Sequence, residues 1–293
     1  MTYSIVARDG VTGALGVGVQ THQPCVGAIV PWVKAGVGAV ATQSFANINF
    51  GPQGLALLES GLPAEHALAA LIAGDDLPTR RQVAVIDDEG VAAVHTGSEC
   101  IPFAGHVVGD GFSAQANMMT HEGVPEAMAA AFVGAGGQLA ERIMSALGAA
   151  QQAGGDIRGS QSAAILVREP GPLSSAWDLR IDNSAAPLED LKGLLNVRLA
   201  NQLVSGAAIP PGTPVPEAMA VYKRAAALCP SDEQEFWFAV NTLTTLGAVD
   251  EAVEMLELLF TRAPQWKELL ARLTLPGAVG SSLTSGFSEP GGG

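Results

Sequence analysis

The chain carries TYSIVAR at residues 2–8 and ALGVGVQ at residues 14–20, and these two stretches predict the central strands of the fold. The segment DGVTG between them contains an Asp-Gly pair, which is typical of a tight turn between antiparallel strands. Both stretches carry Val, Ile and Ala at alternate and adjacent positions, a pattern that indicates strands covered on both faces. The sequence therefore predicts a buried antiparallel strand pair at the start of the chain.

Strands and helices then alternate in blocks. We predict further strands at 27–33, 37–43, 82–87, 91–96, 112–118, 161–168 and 176–181, and helices at 51–59, 63–73, 122–132, 138–153 and 188–203. Because the helices come in pairs rather than singly between strands, a doubly wound parallel fold is disfavoured. Two antiparallel sheets placed face to face, with helix pairs outside, would bury strands of this kind. The predicted fold is α+β.

The C-terminal part has a different composition. Residues 205–216 contain four prolines and read as a stiff linker. Pro230 and Pro264 are 34 residues apart, the tetratricopeptide period, and LGAVDEA at 246–252 resembles the turn of that repeat. A single helical hairpin is the alternative. The predicted packing positions of the first helix are Phe236, Ala239 and Leu243.

These patterns predict four regions. They are an α+β domain at 1–204, a linker at 205–216, a tetratricopeptide-like domain at 217–275 and a disordered Ser/Gly-rich tail at 276–293.

Charge and composition exclude several functions. The chain has 15 basic and 29 acidic residues, a net charge of −14, which disfavours binding to nucleic acids and to anionic membrane surfaces. An uninterrupted apolar run of about 18 residues is absent, so we expect no membrane span. Three widely spaced cysteines suit a reducing compartment, so we expect a cytoplasmic protein.

Thr2 is the first candidate for chemistry. Initiator methionines before small residues are usually removed, and an N-terminal threonine then carries a hydroxyl and an amine one carbon apart. This is a nucleophile with its own base. Since many proteins begin with Met-Thr, an ordinary N-terminus is the alternative.

Polar clusters at strand boundaries are the second candidate. They are TQSFAN at 42–47, SAQAN at 113–117 and DIRGSQSA at 156–163. Buried polar groups need partners, so these clusters either cap strand ends internally or converge on a cleft. Lys34 interrupts an apolar region 32 residues after Thr2 and is a further candidate.

Other motifs predict no cofactor. GVGAVA at 36–41 matches a dinucleotide-binding pattern, but a strand continues where a helix should open. His22 and Cys25 have no second pair to complete a metal site. We therefore expect neither a metal nor an organic cofactor.

Taken together, the motifs resemble one family, that of domain of unknown function 1028, over about residues 2–200. The strings that carry the resemblance are TYSIVARD at 2–9, GVGVQ at 16–20, VPW at 30–32, AGVGAVATQ at 35–43, Asn47, GPQGL at 51–55, QAN at 115–117, GD at 155–156, QSA at 161–163 and DLR at 178–180. The resemblance implies the four-layer αββα sandwich of N-terminal-nucleophile hydrolases. A helical-repeat tail also occurs in some members.

In active members of that wider superfamily an N-terminal Thr, Ser or Cys attacks an amide carbonyl. The spacing from Thr2 to Lys34 is similar to the threonine–lysine spacing of proteasome-type subunits, whose lysine lowers the pKa of the nucleophile. Two departures stand out. The end of the second strand carries Gly18, Gln20 and Thr21 in place of a carboxylate, and the resembled family often has Arg at the Lys34 position.

The predicted activity is hydrolysis of a small amide or peptide-like C–N bond. The predicted catalytic residues are Thr2, Lys34, Asp156 and Ser162, and the predicted substrate-binding residues are Gln43, Asn47, Asn117 and Arg158. Backbone N–H groups at 36–38, or the Asn117 amide, would form the oxyanion hole. The alternative is a non-catalytic scaffold whose helical tail binds a partner or another copy. A short helical array exposes its ends, so we expect a homo-oligomer, a dimer.

Overall fold

The computed structural model describes residues 2–171, 176–205 and 209–273. The predictions made for Met1 and for the tail at 276–293, and for 206–208 of the linker, lie outside the described residues. The chain divides into two compact units, residues 1–192 and residues 193–293.

A six-stranded antiparallel sheet forms the centre of the first unit. Its strands are β1 (Thr2–Arg8), β2 (Leu15–Thr21), β7 (Gly105–Gly109), β8 (Phe112–Asn117), β9 (Ser162–Arg168) and β10 (Ala176–Ile181). Their order in the sheet is β10-β9-β2-β1-β8-β7. Strand β1 is therefore interior, and Thr2 lies opposite Thr21 on one side and Asn117 on the other.

A four-stranded antiparallel sheet forms the second layer. It consists of β3 (Pro31–Lys34), β4 (Gly38–Ser44), β5 (Arg81–Asp87) and β6 (Ala92–Thr96), in that order across the sheet. An apolar cluster that includes Val6, Val17, Ala39 and Ile86 lies between the two sheets. The inner faces of both sheets are thus removed from water, which accounts for the apolar content of these strands.

Two pairs of helices cover the outer faces. Helices α1 (Phe50–Glu59) and α2 (Ala64–Ala73) pack against β4 and β5, while α3 (Val124–Gly134) and α4 (Leu139–Gln152) pack against β8, β1 and β2. The prediction of an α+β region with antiparallel sheets, followed by an all-helical region, is confirmed.

Two strand predictions were wrong. Residues 27–33 do not form one strand, because a short 3-10 turn occupies Val26–Ala28 and β3 begins only at Pro31. Strand β7 was not predicted. Its sequence GHVVG has glycine at both ends, and it lies at the edge of the sheet, where one neighbour suffices to hold it.

The helical unit follows. Helix α5 (Pro187–Val204) runs across the division between the two units, and α6 (Val215–Leu228), α7 (Asp232–Leu246), α8 (Val249–Arg262) and α9 (Gln265–Arg272) come after it. Gly247 ends α7 with a φ of 66°, a conformation that favours glycine. Phe236, Ala239 and Leu243 are buried in one cluster with residues of α8. No helix among the described residues combines the length and hydrophobicity that a membrane span requires.

Close packing of α4 on the six-stranded sheet yields a prediction for Gly18. A Cβ at Gly18 would lie 2.2 Å from Ile143 Cγ2 and 3.3 Å from Leu147 Cδ1. We expect Gly18→Ala to lower the free energy of unfolding by about 1–3 kcal/mol, the usual cost of overpacking a core. Urea unfolding measures this.

Gly148 on α4 provides the matched control. A Cβ there would meet nothing within 4 Å, so Gly148→Ala should raise the stability by roughly 0.5–1 kcal/mol through helix propensity alone. Equal effects of the two substitutions would contradict the packing that we describe.

Candidate functional site

One end of the two sheets gathers most of the connecting loops. Strands β2, β4 and β8 end there, and β1, β5 and β9 begin there. We call it the Thr2 end. The loops that meet there are 22–30, 45–49, 74–80, 97–104, 118–123 and 154–161. Loops held by a rigid scaffold are the usual place for binding and catalysis.

Thr2 belongs to a chain of polar contacts at this end. Its side-chain Oγ1 donates to Thr21 Oγ1 at 3.1 Å, and Arg158 Nη2 donates to the same Thr21 oxygen at 3.5 Å. Arg158 in turn forms two hydrogen bonds to Asp156, Nε to Oδ1 at 3.1 Å and Nη2 to Oδ2 at 2.8 Å. A guanidinium therefore lies one hydroxyl group away from the candidate nucleophile.

The carboxylate of Asp156 is buried and fully engaged. Its side chain is 0% exposed and accepts hydrogen bonds from the backbone N–H groups of His22 and Arg158 as well as from the guanidinium. A buried carboxylate with a paired cation and several donors is held firmly in place. Asp156 therefore fixes the position of Arg158 and ties loop 154–161 to the end of β2.

A buried amide network holds the backbone of Thr2. Gln43 Nε2 and Asn117 Nδ2 each donate to the Thr2 carbonyl oxygen at 3.3 Å. Both amides also donate to Gln82 Oε1, at 2.7 and 2.9 Å, and Gln82 Nε2 donates to the Ala116 carbonyl at 2.9 Å. Because Gln43 and Gln82 belong to one sheet and Asn117 and Thr2 to the other, the network joins the two layers.

A second arm of the network lies one step deeper. Ser4 Oγ donates to Gln43 Oε1 at 2.7 Å and accepts from Gln115 Nε2 at 2.6 Å, while Ser113 Oγ donates to Gln115 Oε1 at 2.7 Å. These side chains are at most 1% exposed. Buried amides must be hydrogen-bonded, so the network fixes how the two sheets align at this end.

Tyr3 supports the site from the opposite face of β1. Its hydroxyl donates to Gln151 Oε1 at 3.1 Å. Burial raises the pKa of Tyr3, and the nearby charge of Asp156 raises that pKa further. The phenol therefore stays protonated and acts as a donor that anchors β1 to α4.

The backbone is strained around Thr2. Among the described residues, four non-glycine residues have left-handed φ angles, Cys25 at 59°, Ser44 at 70°, Phe103 at 58° and Met118 at 58°. All four lie in loops or at strand ends of the Thr2 end. Such conformations cost about 1–3 kcal/mol each and concentrate at functional sites. Their clustering therefore supports the Thr2 end as the candidate functional site.

The structure does not bring Lys34 to Thr2, and the expectation that it lies there was wrong. Lys34 ends β3 and pairs with Gly38, whereas Gln43, five residues further along β4, contacts Thr2. At ~3.4 Å per residue this separates Lys34 from the Thr2 end by about 17 Å. Lys34 forms an exposed ion pair with Glu59. The N–H groups at 36–38 lie at the same distant turn and cannot form the expected oxyanion hole.

Ser162 and Asn47 lie at the Thr2 end, but their side chains hydrogen-bond to neighbouring loops, 22–30 and 74–80, and not to Thr2. Ser162 Oγ donates to the Gln23 carbonyl and accepts from Val26 N at 3.2 Å, so it shapes the 3-10 turn after β2. Asn47 Nδ2 donates to Asp75 Oδ1 at 3.3 Å. The hydrogen bonds of both residues point to structural roles.

Two residues that the sequence reasoning missed are central. Thr21 connects Thr2 to Arg158, and Gln82 accepts from both amides that hold Thr2. Neither carries a sequence signature, because a single threonine or glutamine at a strand end is common. Strand register was the one usable signal, since Thr21 lies opposite Thr2 if the turn at 9–13 is tight.

Within the described ranges, no three side chains of His, Cys, Asp or Glu come together as metal coordination would require.

The network yields a prediction for Gln82. Gln82→Met keeps the side-chain length but leaves the buried amides of Gln43 and Asn117 without this acceptor. We expect the free energy of unfolding to fall by about 2–4 kcal/mol, since each buried unpaired group costs ~1–3 kcal/mol. Urea unfolding with intrinsic fluorescence measures the change.

Gln53→Met on the exposed face of α1 is the control, and it should change stability by no more than about 0.5 kcal/mol. A Gln82→Met protein as stable as this control would contradict the network.

Comparison with known proteins gave two findings. The family model described as "Family of unknown function (DUF1028)" matches residues 2–191. The crystal structure of protein SPO2555 from Silicibacter pomeroyi, which carries the same family designation, is 32% identical, with a TM-score of 0.63 over 72% of this chain and 91% of that one. No curated protein matches. Neither description assigns an activity.

Proposed function

This chain belongs to the DUF1028 family, and we propose that it is an N-terminal-nucleophile amidohydrolase in which Thr2 attacks a small amide or peptide-like C–N bond. The observation that carries the proposal is the polar chain from Thr2 through Thr21 to the Arg158–Asp156 pair. The layering of two sheets between two helix pairs agrees with the four-layer sandwich of that hydrolase class.

The proposed nucleophile requires removal of Met1. The freed α-amine of Thr2 has a reference pKa of about 7.7–8.0, so an appreciable fraction is neutral near pH 7 and can accept a proton. Gln43 and Asn117 hold the Thr2 carbonyl, which fixes the residue at the start of β1, while its hydroxyl donates to Thr21 Oγ1.

Acylation then proceeds at the Thr2 hydroxyl. Its oxygen attacks the amide carbonyl carbon, and its proton passes to the α-amine. The resulting ammonium protonates the leaving nitrogen as the C–N bond breaks, which leaves an ester on Thr2 and releases an amine. Water attacks the ester with the α-amine as base, and the Thr2–acyl bond breaks to give a carboxylic acid and the free enzyme.

In this proposal Arg158, and not Lys34, is the cation of the site, and it stabilises the oxyanion. Its guanidinium is the cation that the hydrogen bonds connect to Thr2, and Asp156 positions it. A fixed cation beside the developing oxyanion stabilises the transition state more than the neutral substrate. Asp156 acts through Arg158 and is a positioning residue.

The first test is the chemistry of Thr2. Intact mass should show that Met1 is absent, and mass spectrometry of a slow acylating amide or ester should place the adduct on Thr2. We expect Thr2→Ala to lower the hydrolysis rate by at least about 10³-fold, as loss of a nucleophile does, and Thr2→Ser to retain activity.

Thr12→Ala, in the exposed turn between β1 and β2, is the control and should leave the rate unchanged. Retained Met1, or hydrolysis that survives Thr2→Ala, would refute the assignment and favour a non-catalytic scaffold.

The second test concerns Arg158. Arg158→Met should lower kcat by about 10²–10³-fold with a smaller change in KM, because the guanidinium acts on charge that develops in the transition state. Arg158→Lys should recover part of the loss. Arg262→Met in the exposed part of α8 is the control. An effect on KM alone would show that Arg158 only binds substrate.

A further inference from the structure

Four large apolar side chains in three loops of the Thr2 end are exposed to solvent, and Leu77 of loop 74–80 is a fifth at the same end. Phe45 is 51% exposed, Ile48 47%, Phe103 46% and Ile157 58%. They lie in loops 45–49, 97–104 and 154–161. We call these four residues the apolar rim. Exposed apolar groups gathered at one end of a protein commonly mark a binding site.

Each part of the rim is close in the chain to a residue of the site. Phe45 comes two residues after Gln43, and Ile157 follows Asp156. The Phe103 carbonyl accepts from Met119 N at 3.4 Å, and Ile157 N donates to the Met118 carbonyl at 3.3 Å. Because Met118 follows Asn117, which pairs with Thr2, these hydrogen bonds hold Phe103 and Ile157 beside the nucleophile.

Two strained residues lie in or next to the rim. Phe103 combines a left-handed φ of 58° with a half-exposed side chain, and Ser44, with a φ of 70°, immediately precedes Phe45. The Arg80 guanidinium lies over the Phe45 ring, 5.5 Å from its centroid. Such backbone conformations cost free energy and concentrate at functional sites, which supports a binding role for this end.

The charged residues of the Thr2 end indicate which chemical groups the apolar rim can bind. Two arginines next to Phe45 pair with carboxylates, Arg80 with Glu99 at 2.8 Å and Arg81 with Asp75 at 2.7 Å. These carboxylates offset much of the attraction that the two guanidinium groups would exert on an anionic acyl chain at the rim.

Carboxylates also face the space next to Phe103. Phe103 lines a cavity of about 260 Å³ together with Glu122, Glu126 and His121. Two carboxylates there would repel an anionic substituent, so this side of the rim disfavours a negatively charged group.

We propose that the apolar rim binds the acyl side of the substrate, and that this acyl group is apolar and carries no negative charge. The inference rests on the proposed amidohydrolase function and adds its substrate class. An apolar acyl chain would cover the exposed rings of Phe45 and Phe103 and place its carbonyl carbon at Thr2.

The test measures binding without turnover. The full-length Thr2→Ala protein is titrated with N-acetyl-, N-hexanoyl- and N-succinyl-glycinamide, which differ in the length and charge of the acyl group. We expect the hexanoyl probe to bind at least about tenfold more tightly than the acetyl probe, given ~0.8 kcal/mol for each fully buried methylene group. The succinyl probe should bind no better than the acetyl probe.

Phe103→Asn and Ile157→Asn, in the same background, identify the rim as the binding surface. Asparagine tolerates a left-handed φ, so Phe103→Asn should keep the loop while it removes the ring. Each substitution should remove most of the preference for hexanoyl. Val11→Asn, an exposed valine at the opposite end of β1, is the matched control and should leave the preference intact.

Three results would overturn the proposal: equal affinity for the three probes, no detectable binding of any probe, or a hexanoyl preference that survives both rim substitutions. Sedimentation of the same variants tests whether the rim binds a second copy of the chain. If the substitutions dissociate a dimer but leave probe binding unchanged, the rim is a self-association surface. Hexanoyl preference without any hydrolysis by the unsubstituted protein would refute the proposed function and leave the rim assignment standing.

Discussion

The structure depends on one constraint, that the buried amides between the two sheets must be hydrogen-bonded. Gln82 Oε1 accepts from Gln43 and Asn117, and both of these amides hold the carbonyl of Thr2. A slip of β1 by one residue would point Thr2 and Ser4 away from these amides and leave polar groups unpaired in the interior. The network therefore fixes the register of β1, the alignment of the two sheets and the position of Thr2 together.

Along β1 the space between the sheets changes from apolar to polar. Val6 packs with Val17 and Ile86 in a dry core, whereas Ser4 and Thr2 face glutamine and asparagine side chains. The apolar part gains stability from burial, which is non-directional. The polar part adds direction, because each hydrogen bond requires a particular distance and angle between donor and acceptor. These hydrogen bonds hold the Thr2 backbone in a fixed position, as the proposed site requires.

Buried hydrogen bonds also hold the charged groups of the Thr2 end in place. Asp156 is buried and makes hydrogen bonds to Arg158 and to the His22 backbone, so the guanidinium stays beside Thr21. Lys34, an exposed residue paired with Glu59, has no comparable restraint. Ser44 and Phe103, both with left-handed φ angles, lie at the same end, where Phe45 and Phe103 are about half exposed. The proposed site thus combines fixed hydrogen-bonding groups with exposed aromatic side chains.

The sequence alone determined the α+β class, most strand and helix positions and the polar clusters at strand ends, because periodicity, turn residues and apolar content act locally. It also placed Thr2 at the start of β1. It misassigned Lys34, since linear spacing cannot show that β3 runs away from Thr2. It missed Thr21 and Gln82, whose roles come from pairing between strands far apart in the chain. Only the tertiary structure decided which polar groups share a buried space, because buried hydrogen bonds are satisfied across layers rather than along the sequence.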